Sequence, residues 1–143
     1  MSRFEDLEVW KMAHELVIDV YKIIKNFPTD ERFRIIDQLS RAVVSIPANI
    51  AEGTGRKTKK DFIHFLYVSR GSLQETKYLI LLSKNLGYIG NEIYETLIDK
   101  CYYVSKLLNG LINKMEGLQM KSELPAPNPE LLTSELPAPN SEL

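Results

Sequence analysis

Apolar residues recur along the first four fifths of the chain at helical intervals. Trp10, Ala13, Leu16, Val17, Val20, Ile24 and Phe27 lie three, one or four positions apart, and Lys11, Glu15, Asp19, Lys22 and Lys25 fill the opposite face. This predicts an amphipathic helix that ends at Pro28. Ile36, Leu39, Val43, Ile46 and Ile50 alternate steps of three and four, the narrow stripe of a bundle seam. That second helix is expected to begin near Thr29, Asp30 and Glu31, whose acids suit a helix N-terminus. Thr58-Lys59-Lys60-Asp61 has the order of a capping box with aspartate in the fourth place. It opens a third helix through Phe62, Phe65, Leu66, Leu73, Leu79, Ile80 and Leu86, which Gly87 should stop. After Tyr88, Ile89, Gly90 and Asn91 a fourth stripe follows: Ile93, Leu97, Cys101, Val104, Leu108, Leu111 and Met115. A helix of about 26 residues is about 39 Å long. Four such helices on short loops most simply form an all-α, antiparallel up-down-up-down bundle over residues 1–121.

Beyond Lys121 the pattern stops. Ser122-Glu-Leu-Pro-Ala-Pro-Asn128 returns as Ser134-Glu-Leu-Pro-Ala-Pro-Asn140, and five of the seven prolines fall in this stretch. Residues 122–143 are therefore expected to form a disordered, acidic, proline-rich repeat tail, an appendage more than a ligand for a proline-binding partner.

The net charge of −1 conceals an asymmetry, because the tail holds Glu123, Glu130, Glu135 and Glu142 with no Lys or Arg. The other 121 residues keep 18 basic and 15 acidic groups, a mild excess of positive charge. It permits a polyanion partner without demanding one. Cys101 stands alone, which excludes an intrachain disulfide and suits a small core residue in a reducing cytosol. The N-terminus lacks the apolar run of a signal peptide, and the longest apolar run, Tyr78 to Leu82, is too short to cross a bilayer. A cytoplasmic protein without membrane partners is expected.

One segment breaks the helical economy. Within Ser45 to Gly53, Pro47 sits inside an otherwise helical stripe, where a proline costs about 3 kcal/mol and bends or loosens the helix. Ser45, Asn49 and Glu52 share one face there. They are expected to form a polar network with the third helix, with Ser69, Ser72 and Glu75 as partners, and to satisfy the carbonyl freed by Pro47. A buried Glu52 would need Arg41, Arg56 or Arg70 as counterion. Gly53 is placed to cap the helix in a left-handed conformation. The alternative use of the kink is a pocket for a small ligand or partner.

Directly after it comes Arg56-Lys57-Thr58-Lys59-Lys60. A helix N-terminus offers free N–H groups and favours anions, so Arg56, Lys57, Lys59 and Lys60 are the candidate nucleic-acid contacts. Assembly into a ring would multiply their modest charge.

Catalytic patterns do not complete. A di-iron bundle site needs Glu-x-x-His from each of two helices. Here His64 follows Asp61 by three and His14 follows Lys11. His14-Glu15 starts a zincin-like motif, but Ile18 occupies the place of the second histidine. With no phosphate loop, nucleophile elbow or Cys-His pairing either, no metal, no cofactor and no enzymatic activity are expected. The seven tyrosines show no RNA-platform signature, and their spacing favours packing or a subunit interface.

Ser45 to Gly53 with Gly55-Arg56, Gln38-Leu39 and Arg41-Ala42 before it, Phe4 to Ala13, Asp61-Phe62, and Gly71-Ser72-Leu73-Gln74-Glu75 together give a combination that resembles the bacterial four-helix bundle family of the 23S rRNA intervening-sequence protein. The resemblance covers roughly residues 3–116. It implies a ring-like homopentamer. It also implies kinship with the accessory variability proteins of diversity-generating retroelements, one of which pairs with a reverse transcriptase and nucleic acid. The function expected is a non-catalytic homo-oligomer that binds RNA, DNA or a ribonucleoprotein partner through the basic loop. The alternative is a protein-binding adaptor or assembly subunit without nucleic-acid binding.

Overall fold

The computed structural model describes residues 3–123. Four helices carry the chain: α1 (Glu8–Ile24), α2 (Ile35–Thr54), α3 (Lys59–Asn85) and α4 (Asn91–Glu123), with short 3-10 turns at Phe4–Asp6 and Thr29–Glu31. Each helix packs on its two neighbours, α1 closing the ring against α4, and the backbones of the diagonal pairs stay farther apart. Numbers rise along α2 as they fall along α3, with Ser45 opposite Ser72 and Ile46 opposite Ser69. Tyr67 faces Glu116 and Arg70 faces Asn109 in the same sense across α3 and α4. The result is the expected antiparallel four-helix bundle.

One continuous core runs through all four helices, from Val9, Leu16 and Val20 through Leu39, Ile46 and Ile50 to Leu66, Leu73, Ile80, Val104, Leu108 and Ile112. The predicted stripes differ from it at their edges. Ile93 and Leu86 are exposed, Ile98 joins Leu97 in the core, and Ile112 takes the core place that the periodicity gave to Leu111. In α3 the seam holds three hydroxyl residues with no exposure at all: Ser69, Thr76 and Ser83. Burial without a partner would cost each hydroxyl on the order of 1–3 kcal/mol. Each has a partner: Ser69 donates to the Ile46 carbonyl across the interface at 2.8 Å, Thr76 to Ser72 O at 2.8 Å and Ser83 to Leu79 O at 2.7 Å. Short side chains on this seam let neighbouring backbones come close.

The helix ends differ from the sequence expectation in three places. α1 stops at Ile24 instead of Pro28, because Asn26 and Phe27 donate three residues back, to Ile23 and Ile24, and tighten the last turn. Phe27 nevertheless stays buried. α2 begins at Ile35, and Thr29–Glu31 forms a separate 3-10 turn. Gly53 is no left-handed cap. It lies inside α2, and Gly87, with φ of 81°, is the glycine in the left-handed region among the described residues. Gly87 does stop α3 as expected: Tyr88 N donates to Ser83 O and Gly87 N to Lys84 O, both at 2.9 Å, the paired bonds of a Schellman cap. Tyr88 then ties two loops together, its ring 5.3 Å from Phe27 and its hydroxyl donating to Glu31 at 3.1 Å. α4 continues two residues past Lys121, and the rest of the expected repeat tail lies outside the described residues.

Candidate nucleic-acid interface

The turn from α2 into α3 is made by backbone bonds from Gly55 N to Glu52 O and from Arg56 N to Gly53 O, both 3.1 Å. Thr58 then caps α3, its Oγ1 accepting from Asp61 N at 3.1 Å. This is the N-cap half of the capping box expected from the sequence; the return bond from Thr58 N to the Asp61 carboxylate is not made. The four basic side chains of the segment are not equivalent. Arg56 donates to Glu52 Oε1 at 2.6 Å, and its guanidinium lies 4.6 Å from the centre of the Phe65 ring. It is clamped by its own helix turn and by α3. Lys57, Lys59 and Lys60 are exposed, and no salt bridge among the described residues engages them. With Thr58 they form one wall of a cavity of about 350 Å³ whose other wall is Met115, Gln119, Ser122 and Glu123 at the end of α4.

The polar face of α2 divides in two. The Ser45 and Ser72 hydroxyls meet at 2.8 Å between α2 and α3, and Asn49 Nδ2 donates at 2.8 Å to both the carbonyl and the hydroxyl of Ser45. Asn49 thus braces Ser45 from within α2 and does not cross to α3. Glu52 takes no part, since it points outward to Arg56. Glu75 makes no hydrogen bond to this chain of groups and lines an open cavity of about 470 Å³ with Phe33, Asp37, Gln38, Arg41, Ser45 and Ser72. The other two candidate counterions are engaged elsewhere, Arg41 with Asp37 at 3.4 Å and Arg70 with Asn109 at 3.2 Å. Ser69 reaches the carbonyl of Ile46, next to Pro47, not that of Val43, which Pro47 deprives of its partner. The network is two hydroxyls and an amide. It can fix helix register, and it contains no group that titrates near neutrality.

Pro47 belongs to a different surface. α2 continues through it to Thr54, and its buried ring lines an apolar groove with Phe4, Trp10, His14, Val17, Val44, Ala48 and Ala51. The rings there are ordered on one another: Phe4 meets Trp10 edge-on at 5.0 Å, and His14 stacks on Trp10 at 5.0 Å. A second cavity, lined by Val17, Ile18, Tyr21, Lys22, Lys25 and Val44, continues it along α1. Sequence reasoning missed this surface, although Trp10 and His14 stand at i and i+4, where helical side chains meet. Among the described residues no group of three His, Cys, Asp or Glu side chains is placed to hold a metal, and no helix is long and apolar enough to cross a membrane.

Residues 5–110 match the family of 23S rRNA-intervening sequence proteins. The chain belongs to that family. The matched span contains α1 to α3, the basic loop and the Ser45–Ser72 contact, and it ends within α4. A similar solved structure comes from Bacteroides thetaiotaomicron, a protein of unknown function from the S23 ribosomal protein family. It is 28% identical, with a TM-score of 0.68, and the alignment covers 73% of this chain and 97% of that one. No curated protein matches the chain. The fold of this 23S rRNA-intervening sequence family member is thus supported from three sides, by its sequence pattern, its coordinates and its solved neighbour.

Proposed function

We propose that the protein is a non-catalytic, self-associating bundle that binds nucleic acid or a ribonucleoprotein partner through the α2–α3 loop. The observation that carries this reading is that Lys57, Lys59 and Lys60, exposed at the start of a 27-residue helix on a surface shared with α4, make no salt bridge among the described residues. Three neighbouring exposed ammonium groups would lower the cost of bringing phosphates close. Arg56 supports them indirectly, since its clamp on Glu52 neutralises that carboxylate at the end of α2. A non-catalytic role is supported by the chemistry of the Ser45, Asn49 and Ser72 group, which offers no acid, base or activated nucleophile.

Self-association is supported by the α1/α2 groove, where Ile18, Tyr21 and Val44 are each about two-fifths exposed beside Trp10 and Val17. The family resemblance suggests a ring of five copies. The same groove favours a second reading, an adaptor that holds a protein partner. Size exclusion with light scattering, run with and without a structured RNA across a salt series, separates the two. Complexes that form at low salt and dissolve as salt rises support nucleic-acid binding. An oligomer indifferent to RNA at every salt concentration overturns it in favour of the adaptor.

A further inference from the structure

The lysine cluster at the start of α3 does not end there. On the edge where α3 meets α4, three cations each lie over a tyrosine ring: Arg70 at 4.5 Å from Tyr67, Lys77 at 4.4 Å from Tyr102 and Lys84 at 4.3 Å from Tyr94. None of the three makes a salt bridge among the described residues. They repeat at seven-residue intervals, so about 10.5 Å separates one from the next along the helix. All three face α4, as the contacts of Arg70 with Asn109, Lys77 with Tyr102 and Lys84 with Tyr94 establish. Lys59 and Lys60 face α4 as well, across the cavity they share with Met115 and Gln119. From Lys59 to Lys84 the basic edge runs about 38 Å.

We propose that this α3/α4 edge is a track for single-stranded nucleic acid, continuing from the loop lysines along Arg70, Lys77 and Lys84, with Tyr67 and Tyr102 as base platforms. It rests on the nucleic-acid reading above and names the strand form and the path. A single strand needs backbone-tracking cations and aromatic faces in alternation, and this edge supplies both. Tyr67 and Tyr102 are 38% and 59% exposed. The Tyr67 hydroxyl is held by Glu116 at 2.8 Å, which fixes the ring without covering its face, and Glu123 lines the cavity at the loop end of the edge. Cation–π pairs at exposed positions are weak enough to exchange. A phosphate can draw each cation off its ring, and the uncovered ring then accepts a base. A duplex keeps its bases stacked inside and offers the rings nothing, and an acidic peptide has no use for them.

The test is fluorescence anisotropy of full-length protein with labelled single-stranded oligouridine and with an RNA duplex of matching length, over a salt series. The single strand should bind more tightly than the duplex. Arg70→Gln with Lys77→Gln and Lys84→Gln should reduce the salt slope by about 2, at roughly 0.7 per lost phosphate contact. Tyr102→Ala should weaken binding about tenfold, and Tyr102→Phe should leave it near wild type. Circular dichroism confirms that each variant folds. Loss of binding in a Lys57→Gln, Lys59→Gln, Lys60→Gln protein with full binding in the Arg70, Lys77, Lys84 variant overturns the track and leaves the loop reading standing. Equal affinity for duplex and single strand also overturns it. If wild-type protein binds neither, the nucleic-acid reading itself falls.

Discussion

Gly53 on α2 lies so close to Phe62 on α3 that a Cβ built on it would stand 2.7 Å from Phe62 Cδ1 and 3.1 Å from Phe65 Cβ. The first of these contacts could yield only by moving a buried ring, and the second lies at the root of a side chain. Gly53→Ala would gain about 1 kcal/mol in helix propensity, against overpacking of about 1–3 kcal/mol. A net loss of about 1 kcal/mol in unfolding free energy is expected in urea titrations, recovered in part by adding Phe62→Leu. A stabilised Gly53→Ala protein would refute close approach as the reason for this glycine.

Gly53 marks the limit of what a linear pattern carries. A glycine after an apolar stripe signals a helix end, and the end does come one residue later, at Thr54. The distance to the next helix is not written in the stripe, so the reason for the glycine was invisible. The same limit hid the acceptor of Ser69, a network partner in the sequence whose hydroxyl reaches the Ile46 carbonyl across the interface, and the complete burial of Thr76 and Ser83, which bond back to their own helix. Contacts within one helix were readable in principle. Glu52 and Arg56 stand at i and i+4, a spacing that already marks Arg56 as paired. By contrast, the alignment of Lys77 with Tyr102 depends on the register of two helices and appears only in the folded chain.

The Ser45–Ser72 contact should act as a register pin between α2 and α3. Ser72→Ala removes one partner and is expected to cost about 1 kcal/mol. Asn49 still donates to Ser45 in that variant, so the loss stays moderate. In a double-mutant cycle with Ser45→Ala, the coupling energy should be about 0.5–1.5 kcal/mol. Strict additivity in thermal or urea unfolding would show that the hydroxyls merely sit side by side.

Burial pushes the Cys101 thiol up from its ordinary 9.0 to about 12, against a smaller opposing pull from Lys77. The native protein therefore prefers the neutral thiol more than the unfolded chain does. The stability this provides is complete below about pH 9 and is lost as pH rises toward about 12. At pH 8 the thiol should resist iodoacetamide in the native protein and react readily in urea. Alkylation at the same rate in both conditions would contradict its burial.

Lys100 on α4 bridges to α1, with Asp19 as its close partner and Glu15 at 3.4 Å. Its hydrogen bond to Asp19 raises its pKa above 10.5, more than partial burial lowers it. A raised cation stabilises fully below its unfolded value and loses that contribution as pH rises through the folded one. Lys100→Met keeps an apolar stem in the cavity wall that Lys100 shares with Ile23 and Leu97 while discarding the charge. The expected loss is about 0.5–1 kcal/mol at neutral pH, shrinking in alkaline solution. A loss that stayed constant between neutral pH and pH 11 would assign the effect to packing.

Val44 is where the two cavities of the α1/α2 groove meet, and it is 39% exposed in the isolated chain. On a surface that only water touches, Val44→Asp should change unfolding free energy by less than about 0.5 kcal/mol. On a surface that a second copy covers, the same carboxylate would be buried against Val17 and Trp10 from one side and an apolar partner from the other. Burying an unpaired charge there costs several kcal/mol, enough to disperse an assembly held by this face. The variant should run as a folded monomer under light scattering while wild type runs as a ring. Dispersal should also flatten the salt dependence of RNA binding, because the lysines of one chain would no longer be gathered beside those of its neighbours. A Val44→Asp protein that keeps the wild-type mass would move the subunit contact to another face of the bundle, and a wild-type monomer would remove it altogether.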